Sequence, residues 1–293
     1  ILDGDGDLLV EGCAQGIIIN SRGWPKRTIT EPASESVVRG PREGFPEALT
    51  VNISLIRRRI NTPMLKFQYL YLGEQTQTKV AITYIEGVAS PAIVQEVLKR
   101  VDEIEIDGII ESGYIEELIR DSPLCPFKTV GHTERPDVVA AKMLEGRVAI
   151  LVDGTPFVLT VPYIFVEAFQ ANEDYYKHFA IASVDRLIRY FCFFITTSTP
   201  AIYLSLITYH HQLIPTELIL SISAARKGVP FPAVVEIFTM GLLFEILREG
   251  GIRLPRPIGQ ALSIVGAIVL GDAAVSAQLV SAPMIIVAAT TGI

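Results

Sequence analysis

The chain has 293 residues, of which 49% are hydrophobic and 19% are charged, and its formal net charge is −7. This length allows about two domains. The acidic balance argues against a nucleic-acid-binding protein, because such a protein needs a basic surface to displace the counterions of the phosphate backbone. The three cysteines are widely spaced and show no metal-ligand pattern such as C-x₂-C, so we expect free thiols.

Charged residues are distributed unevenly along the chain. Asp, Glu, Lys and Arg are frequent as far as about Arg189 and sparse beyond it. This change predicts a soluble domain followed by a membrane domain. The sequence does not begin with Met and it stops inside an apolar run, so we expect a fragment that is truncated at both ends.

Strand and helix patterns are mixed in the first part of the chain. A hairpin is predicted within residues 7–20, and a proline-rich linker follows it. The clearest hairpin covers residues 147–161, where Asp153-Gly154 tolerates the positive φ angles of a tight turn. Other predicted elements are strands at residues 65–72 and 80–85 and helices at residues 47–60, from 91 onward, 113–120 and 137–144. This mixture predicts a mixed α/β (α+β) soluble domain.

The second part of the chain reads as an all-α transmembrane helical bundle. Between Arg189 and Glu217 there is no Asp, Glu, Lys or Arg. A helix of this stretch is long enough to cross a hydrocarbon core of about 30 Å. Pro200 and the preceding Thr and Ser residues are expected to interrupt this span. Residues 216–226 suggest a re-entrant or interfacial helix. Further apolar runs cover residues 231–247, expected to end at Gly250-Gly251, and residues 257–275 and 279–293.

These patterns together predict three regions. Residues 1–45 hold the end of a first soluble subdomain and a linker. Residues 46–186 form a second soluble α/β subdomain, and residues 187–293 form a transmembrane helical domain that is incomplete at its C-terminus.

Basic residues in the short flanks indicate how the spans are oriented. Two basic sets lie on one side of the predicted spans: Lys177, Arg186 and Arg189 before the first, and Arg248, Arg253 and Arg256 between the second and third. If the first span leaves the cytoplasm and the second returns, both sets are cytoplasmic. Arg226 and Lys227 then fall on the opposite side, which conflicts with this orientation.

Carboxylates inside the predicted spans are the best candidates for a functional role, because an ionised carboxylate in hydrocarbon costs several kcal/mol. The candidate ion-path or buried polar residues are Glu236, Asp272 and Glu245. For Glu236, a structural hydrogen bond and a place in an ion path are both open. Glu245 is expected near the interface, where it pairs locally with Arg248 or Glu249.

A catalytic constellation is not recognisable in the sequence. There is no nucleophile motif and no Gly-rich phosphate loop, and we expect all four histidines to be structural. We therefore expect no enzyme, no cofactor and no metal site.

Several longer motifs carry a family resemblance. They are GPREGF at residues 40–45, YIEG at 84–87, TERPD at 133–137, EGRVAILVDG at 145–154, DYY at 174–176, VPFP at 229–232 and LREGGIRLPRPIGQ at 247–260. In this order they resemble the A subunit family of bacterial spore germinant receptors, the GerA-type spore germination proteins. Gly250 departs from the pattern, since the family commonly has Ala there.

The resemblance implies a membrane subunit of a nutrient receptor in the inner membrane of the dormant spore, with the soluble domain facing the cytoplasm or spore core. It implies as partners a transporter-like B subunit, a lipoprotein C subunit, membrane lipid and further copies of the same chain, but no nucleic acid. The implied activity is that of an oligomeric ligand-gated ion channel that triggers germination. The alternatives are a non-conducting scaffold subunit and a related stage V sporulation membrane protein.

Overall fold

The computed structural model of the chain describes residues 6–8, 17–19, 29–32, 34–122, 124–254 and 256–291. The chain divides into two compact units, residues 1–182 and 183–293. The first is an α/β unit and the second is built from helices, which confirms the predicted fold class of an α/β domain followed by helices. The finer limits at residues 45 and 186 stay predictions.

The strands of the α/β unit all pair in antiparallel fashion. Strands β1 (Gly6–Leu8) and β2 (Ile17–Ile19) form a two-stranded ribbon, and their connection lies outside the described residues. The main sheet contains β3 (Leu65–Leu72), β4 (Thr78–Ile85), β5 (Gly131–Thr133), β6 (Val148–Val152) and β7 (Val158–Val161), in the order β3-β4-β6-β7-β5. The predicted hairpin at residues 147–161 is confirmed as β6–β7, with Ile150 opposite Leu159.

The α/β unit also contains the four predicted helices: α1 (Leu49–Arg59), α2 (Pro91–Asp102), α3 (Ser112–Leu118) and α4 (Pro136–Leu144). Proline occupies the first position of α2 and of α4, where its missing N–H costs nothing and its fixed φ suits the helix. The turn of the β6–β7 hairpin supplies a cap for α1, because Oδ1 of Asp153 accepts a 2.9 Å hydrogen bond from the N–H of Leu49.

Strand β6 lies at the centre of the sheet, and all five of its residues are buried. Successive side chains of a strand point to opposite faces of the sheet. Accordingly, Val148, Ile150 and Val152 join a core cluster with residues of α2 and α3, whereas Ala149 and Leu151 join a second cluster with residues of α1 and α4. The sheet is therefore covered by helices on both faces.

The helical unit consists of α5 (Phe179–Thr208), α6 (Thr216–Arg226), α7 (Ala233–Arg253), α8 (Arg256–Ser276) and α9 (Ala282–Thr291). Within the described residues, α5 is the one helix long and apolar enough to cross a membrane, and shorter apolar helices cover Ile264–Ser276 and Ala282–Thr291. Large hydrophobic side chains on the surfaces of α7 and α8 are exposed, among them Phe238, Leu242, Ile264 and Ile268.

Two predicted breaks in the helical unit are wrong. Helix α5 continues through Pro200. The polar residues around it are compatible with a helix because their hydroxyls donate to carbonyls one turn earlier, from Thr197 to Phe193 at 2.9 Å and from Thr199 to Ile195 at 2.7 Å. Helix α7 continues through Gly250-Gly251 to Arg253, since glycine weakens a helix by about 1 kcal/mol but keeps its backbone hydrogen-bonding groups.

Candidate functional site

Glu236 lies in the first turn of α7 and is 1% exposed. Its Oε1 accepts a 3.0 Å hydrogen bond from Nη2 of Arg226, the last residue of α6. Its Oε2 accepts two more, from the backbone N–H of Ser281 at 3.0 Å and from the Ser281 hydroxyl at 2.8 Å. Ser281 directly precedes α9, so one carboxylate joins residues of three helical segments.

Apolar residues flank this carboxylate on its own face of α7, since Ala233 and Met240 lie one turn before and one turn after it. A core cluster is formed by Ala233, Met240, Ala274, Val280, Met284 and Ala288, and Tyr203 of α5 packs against it. A buried charge is tolerated when an opposite charge and hydrogen bonds compensate it. The guanidinium of Arg226 and the two donors of Ser281 provide this compensation, so the arrangement is suited to holding helices together.

The structure places the two other carboxylates differently. Glu245 is exposed on α7 and forms an ion pair with Arg248 of the same helix. Asp272 is exposed on α8, and no ion pair or hydrogen bond of its side chain is found among the described residues. Only Glu236 of the three is buried, and no hydrogen bond joins it to either of the others. Their functional roles stay predictions.

Two residues of this site were not identified from the sequence. Arg226 stood out only as a basic residue on the unexpected side of the membrane, and Ser281 did not stand out at all. The sequence does contain a signal for Arg226. A carboxylate in an apolar segment requires a partner, and Arg226 lies only ten residues away from Glu236. Ser281 lies 45 residues from Glu236, a separation at which a local pattern carries no information.

A second buried polar network lies in the α/β unit. Arg135 is 0% exposed, and its Nη2 donates to Oδ2 of Asp137 at 2.8 Å and to the carbonyl of Pro41 at 2.9 Å. The hydroxyl of Tyr176 donates to the same Oδ2 at 2.6 Å. Burial, together with this hydrogen bond to a carboxylate, raises the pKa of Tyr176 to about 12. The network thus joins residues of the GPREGF, TERPD and DYY motifs, which are far apart in the sequence.

A cavity of about 510 Å³ lies beside this network. Two carboxylates of its wall form ion pairs: Glu167 with the wall residue Lys142 at 3.0 Å and with Arg147 outside the wall at 2.7 Å, and Glu173 with Lys177 outside the wall at 3.3 Å. Within the described part of the chain, no group of His, Cys, Asp and Glu is arranged to hold a metal ion. We assign no ligand to this cavity.

Several known proteins of Bacillus species are similar to this chain. Residues 1–293 match the family described as Bacillus/Clostridium GerA spore germination protein. Spore germination protein KA of Bacillus subtilis (strain 168) is 49% identical over 290 residues, which are 99% of this chain and 53% of that protein. The uncharacterized membrane protein YfkQ of the same organism is 48% identical over 293 residues, 100% of this chain and 57% of that protein.

A third relative, spore germination protein GerLA of Bacillus cereus, is 45% identical over 293 residues, 100% of this chain and 60% of that protein. The chain thus spans between 53% and 60% of the length of these three relatives. Among solved structures, the N-terminal domain of the A subunit of the Bacillus megaterium spore germinant receptor GerK3 is 48% identical, with a TM-score of 0.35, covering 42% of this chain and 97% of that domain.

The family match extends over the entire chain and includes both of its units. It agrees with the motifs that first suggested a resemblance. The chain belongs to the Bacillus/Clostridium GerA spore germination protein family.

Proposed function

We propose that the chain is part of a membrane subunit of a spore germinant receptor, which works with a transporter-like B subunit and a lipoprotein C subunit. The observation that carries this proposal is the family match over residues 1–293. It is supported by relatives between 45% and 49% identical that are named spore germination proteins.

The proposed location is the inner membrane of the spore, with the α/β unit on the cytoplasmic side. Helix α5 has 30 residues, which corresponds to about 45 Å and exceeds a hydrocarbon core of about 30 Å. Arg226 falls on the outer side in this orientation, but this is a weaker objection than the sequence alone indicates, because its charge is balanced by Glu236. Of these two residues, only Lys227 then disagrees with the orientation that the basic residues before α5 and after α7 indicate.

The contacts of the helical unit fit antiparallel crossings of α7 and α8. The start of α7 lies close to the start of α9, since Glu236 bonds to Ser281. The α6–α7 and α8–α9 connections are therefore at the same end of the unit. If α5 crosses the membrane outward, α7 returns and α8 crosses outward again, the α6–α7 and α8–α9 connections also lie on one side of the membrane.

The proposed activity is ion conduction by an oligomer of this subunit, and Asp272 is the ion-path candidate that the geometry favours. Glu236 is buried and paired, and Glu245 has a local partner. Asp272 is exposed on an apolar helix, where contact with lipid would be costly. A water-filled path, or a neighbouring copy of the chain, would remove that cost. A non-conducting scaffold subunit is the alternative.

The test uses the full-length receptor in spores and in planar bilayers. Asp272→Asn is compared with the matched control Glu245→Gln, and protein level and germination-linked ion release are measured together. We expect normal levels of both variants, with a changed rate or ion selectivity of release for Asp272→Asn alone. Normal level with unchanged release for Asp272→Asn, and no conductance of the wild type in bilayers, would favour the scaffold.

A further inference from the structure

We infer that Arg226, Gly228, Glu236, Gln278 and Ser281 form a loop lock, which fixes the α6–α7 connection against the α8–α9 connection, and that Glu236 is its central positioning residue. In this role Glu236 belongs to the scaffold of the helical unit and not to an ion path. The inference rests on the contacts within this unit and is independent of the proposed receptor function.

The charged part of the loop lock is placed at helix ends where the backbone favours it. Arg226 ends α6, and a cation is stabilised at a helix C-terminus. Glu236 lies in the first turn of α7, where an anion is stabilised. The N–H of Ser281 stands at the start of α9, where the first N–H groups lack partners within the helix. Arg226 and Glu236 are thus each favoured by the end of their own helix, and Glu236 also accepts a hydrogen bond from an N–H that α9 leaves without a partner.

The side chain of Glu236 is 0% exposed and that of Arg226 is 25% exposed. Burying a charge without partners at such a site would cost a large free energy. Both of its oxygens are used, one by the guanidinium and the other by the two donors of Ser281. Because protein donors occupy both oxygens, we exclude Glu236 from an ion path.

A backbone contact forms the second part of the loop lock. Gly228 has a φ of 101° and Gln278 has a φ of 56°. The side-chain amide of Gln278 lies against Gly228, since a Cβ at position 228 would stand 2.8 Å from its Oε1. The amide could move aside, but the positive φ of Gly228 would still strain any other residue there.

Gln278 occupies a position at the end of α8 that usually holds glycine. The N–H of Leu279 bonds to the carbonyl of Ala274 at 3.0 Å, and the N–H of Gln278 bonds to that of Val275 at 2.9 Å. This is the Schellman pattern, in which the left-handed residue is most often Gly. A larger residue is tolerated here at a cost in backbone energy, and its side chain makes the contact with the opposite connection.

The test measures thermal unfolding of the purified full-length protein in detergent for Glu236→Gln, Arg226→Gln and the double variant. Each single variant leaves its partner without a counter-charge, and we expect its melting temperature to fall by roughly 10 °C. The double variant is expected to fall by clearly less than the sum of the two, because it leaves no unpaired charge. The matched control is the exposed pair on α7, where Glu245→Gln and Arg248→Gln should change the melting temperature by roughly 2 °C or less.

A milder variant covers the case in which the single variants do not accumulate. Ser281→Ala removes one of the three hydrogen bonds and keeps the backbone donor, so we expect a fall of roughly 2–4 °C. Ion selectivity in bilayers should be unchanged in all variants that assemble. Additive effects of the two single variants, an unchanged melting temperature of Ser281→Ala, or a changed selectivity of Glu236→Gln would each overturn the inference. Because unfolding is measured apart from conduction, failure of the proposed receptor function leaves this test intact.

Discussion

Tyr176 donates a 2.6 Å hydrogen bond to Oδ2 of Asp137, which lies 39 residues earlier in the chain. Asp137 stands at the start of α4, whereas Tyr176 follows the last strand of the sheet by 15 positions and belongs to the segment that leads toward α5. This bond therefore holds that segment against the α/β unit. It also gives a physical reason for the presence of both the TERPD and the DYY motif.

Replacing Tyr176 by Phe removes this bond and keeps the ring. Because the acceptor is a buried carboxylate, we expect a loss of about 2 kcal/mol in the free energy of unfolding of the α/β unit. The control is Tyr175→Phe, because Tyr175 is 56% exposed and its hydroxyl makes a longer, 3.2 Å bond to Gln170. It should lose less than about 0.5 kcal/mol. Urea unfolding of the full-length protein followed by circular dichroism measures both, and equal losses would contradict the assigned role of Tyr176.

The sequence allowed much of the α/β unit to be predicted because its signals are local. Ser90-Pro91 marks the start of α2, and Asp153-Gly154 marks the turn between β6 and β7. What could not be predicted depends on distant contacts. The burial of β6 on both faces requires α1, α2 and α3, which are distant from it in the sequence, and the partners of Glu236 lie 10 and 45 residues away.

In the helical unit, local signals gave two wrong predictions. Pro200 and Gly250 are both residues that weaken helices, and the sequence predicts an interruption at the first and a helix end at the second. In the structure the helices continue, because hydroxyls of the polar residues bond within α5 and because the glycines of α7 keep their backbone donors.

Gly250 offers a direct test of that interpretation. It lies inside α7, and a Cβ at this position would meet no atom within 4 Å. Gly250→Ala should therefore stabilise α7, by up to about 1 kcal/mol, through the lower conformational entropy of the unfolded chain. The melting temperature of the full-length protein measures this effect. The contrasting variant is Gly228→Ala, which should destabilise because its φ of 101° suits glycine. A fall for Gly250→Ala would show that α7 is not a regular helix at this point.

Acid sensitivity is expected from Glu111, the capping residue of α3. Burial opposes ionisation of this carboxyl, but hydrogen bonds from Ser112, from the N–H of Gly113 and from Thr155 outweigh it and hold the pKa of Glu111 below its usual value of 4.5. A carboxyl whose pKa is lower in the folded state stabilises the fold above its unfolded pKa, and this contribution is lost as the pH falls through the folded pKa. The stabilisation should therefore be complete at pH 7 and decline below about pH 4.5.

Glu111→Gln tests this expectation through the pH dependence of unfolding. At pH 7 we expect the variant to be less stable than the wild type by about 1–2 kcal/mol, since bonds to a charged acceptor are replaced by bonds to a neutral one. The difference between them should shrink as the pH falls below 4.5. A difference that stays constant with pH would mean that the charge of Glu111 does not contribute.

The limit of the water-soluble region can be tested by truncation. Acidic and basic residues become sparse after Arg189, and the two compact units divide between residues 182 and 183. We expect the full-length protein cut after Asp185 to remain in solution without detergent, because it lacks most of α5 and with it most of the apolar surface of that helix. Ultracentrifugation of a cell lysate measures this directly. Recovery of the truncated protein in the membrane fraction alone would show that the α/β unit itself carries membrane-binding surface.

The proposed orientation predicts opposite accessibility for two positions. Lys128 is exposed on the α/β unit, and Leu279 is 50% exposed in the connection between α8 and α9. With basic flanks on the cytoplasmic side, position 128 faces the cytoplasm and position 279 faces outward. The full-length protein should first have its native cysteines, which include the free thiols of Cys125 and Cys192, replaced by Ser. A membrane-impermeant maleimide should then label Leu279→Cys on intact cells and label Lys128→Cys only after permeabilisation.

Labelling of both positions in intact cells would indicate leaky cells or mixed insertion, which the same protein without cysteines and a cytoplasmic marker would reveal. The reverse pattern, with Lys128→Cys labelled from outside and Leu279→Cys protected, would overturn the orientation and would mean that Lys227, rather than the basic flanks of α5 and α7, marks the cytoplasmic side.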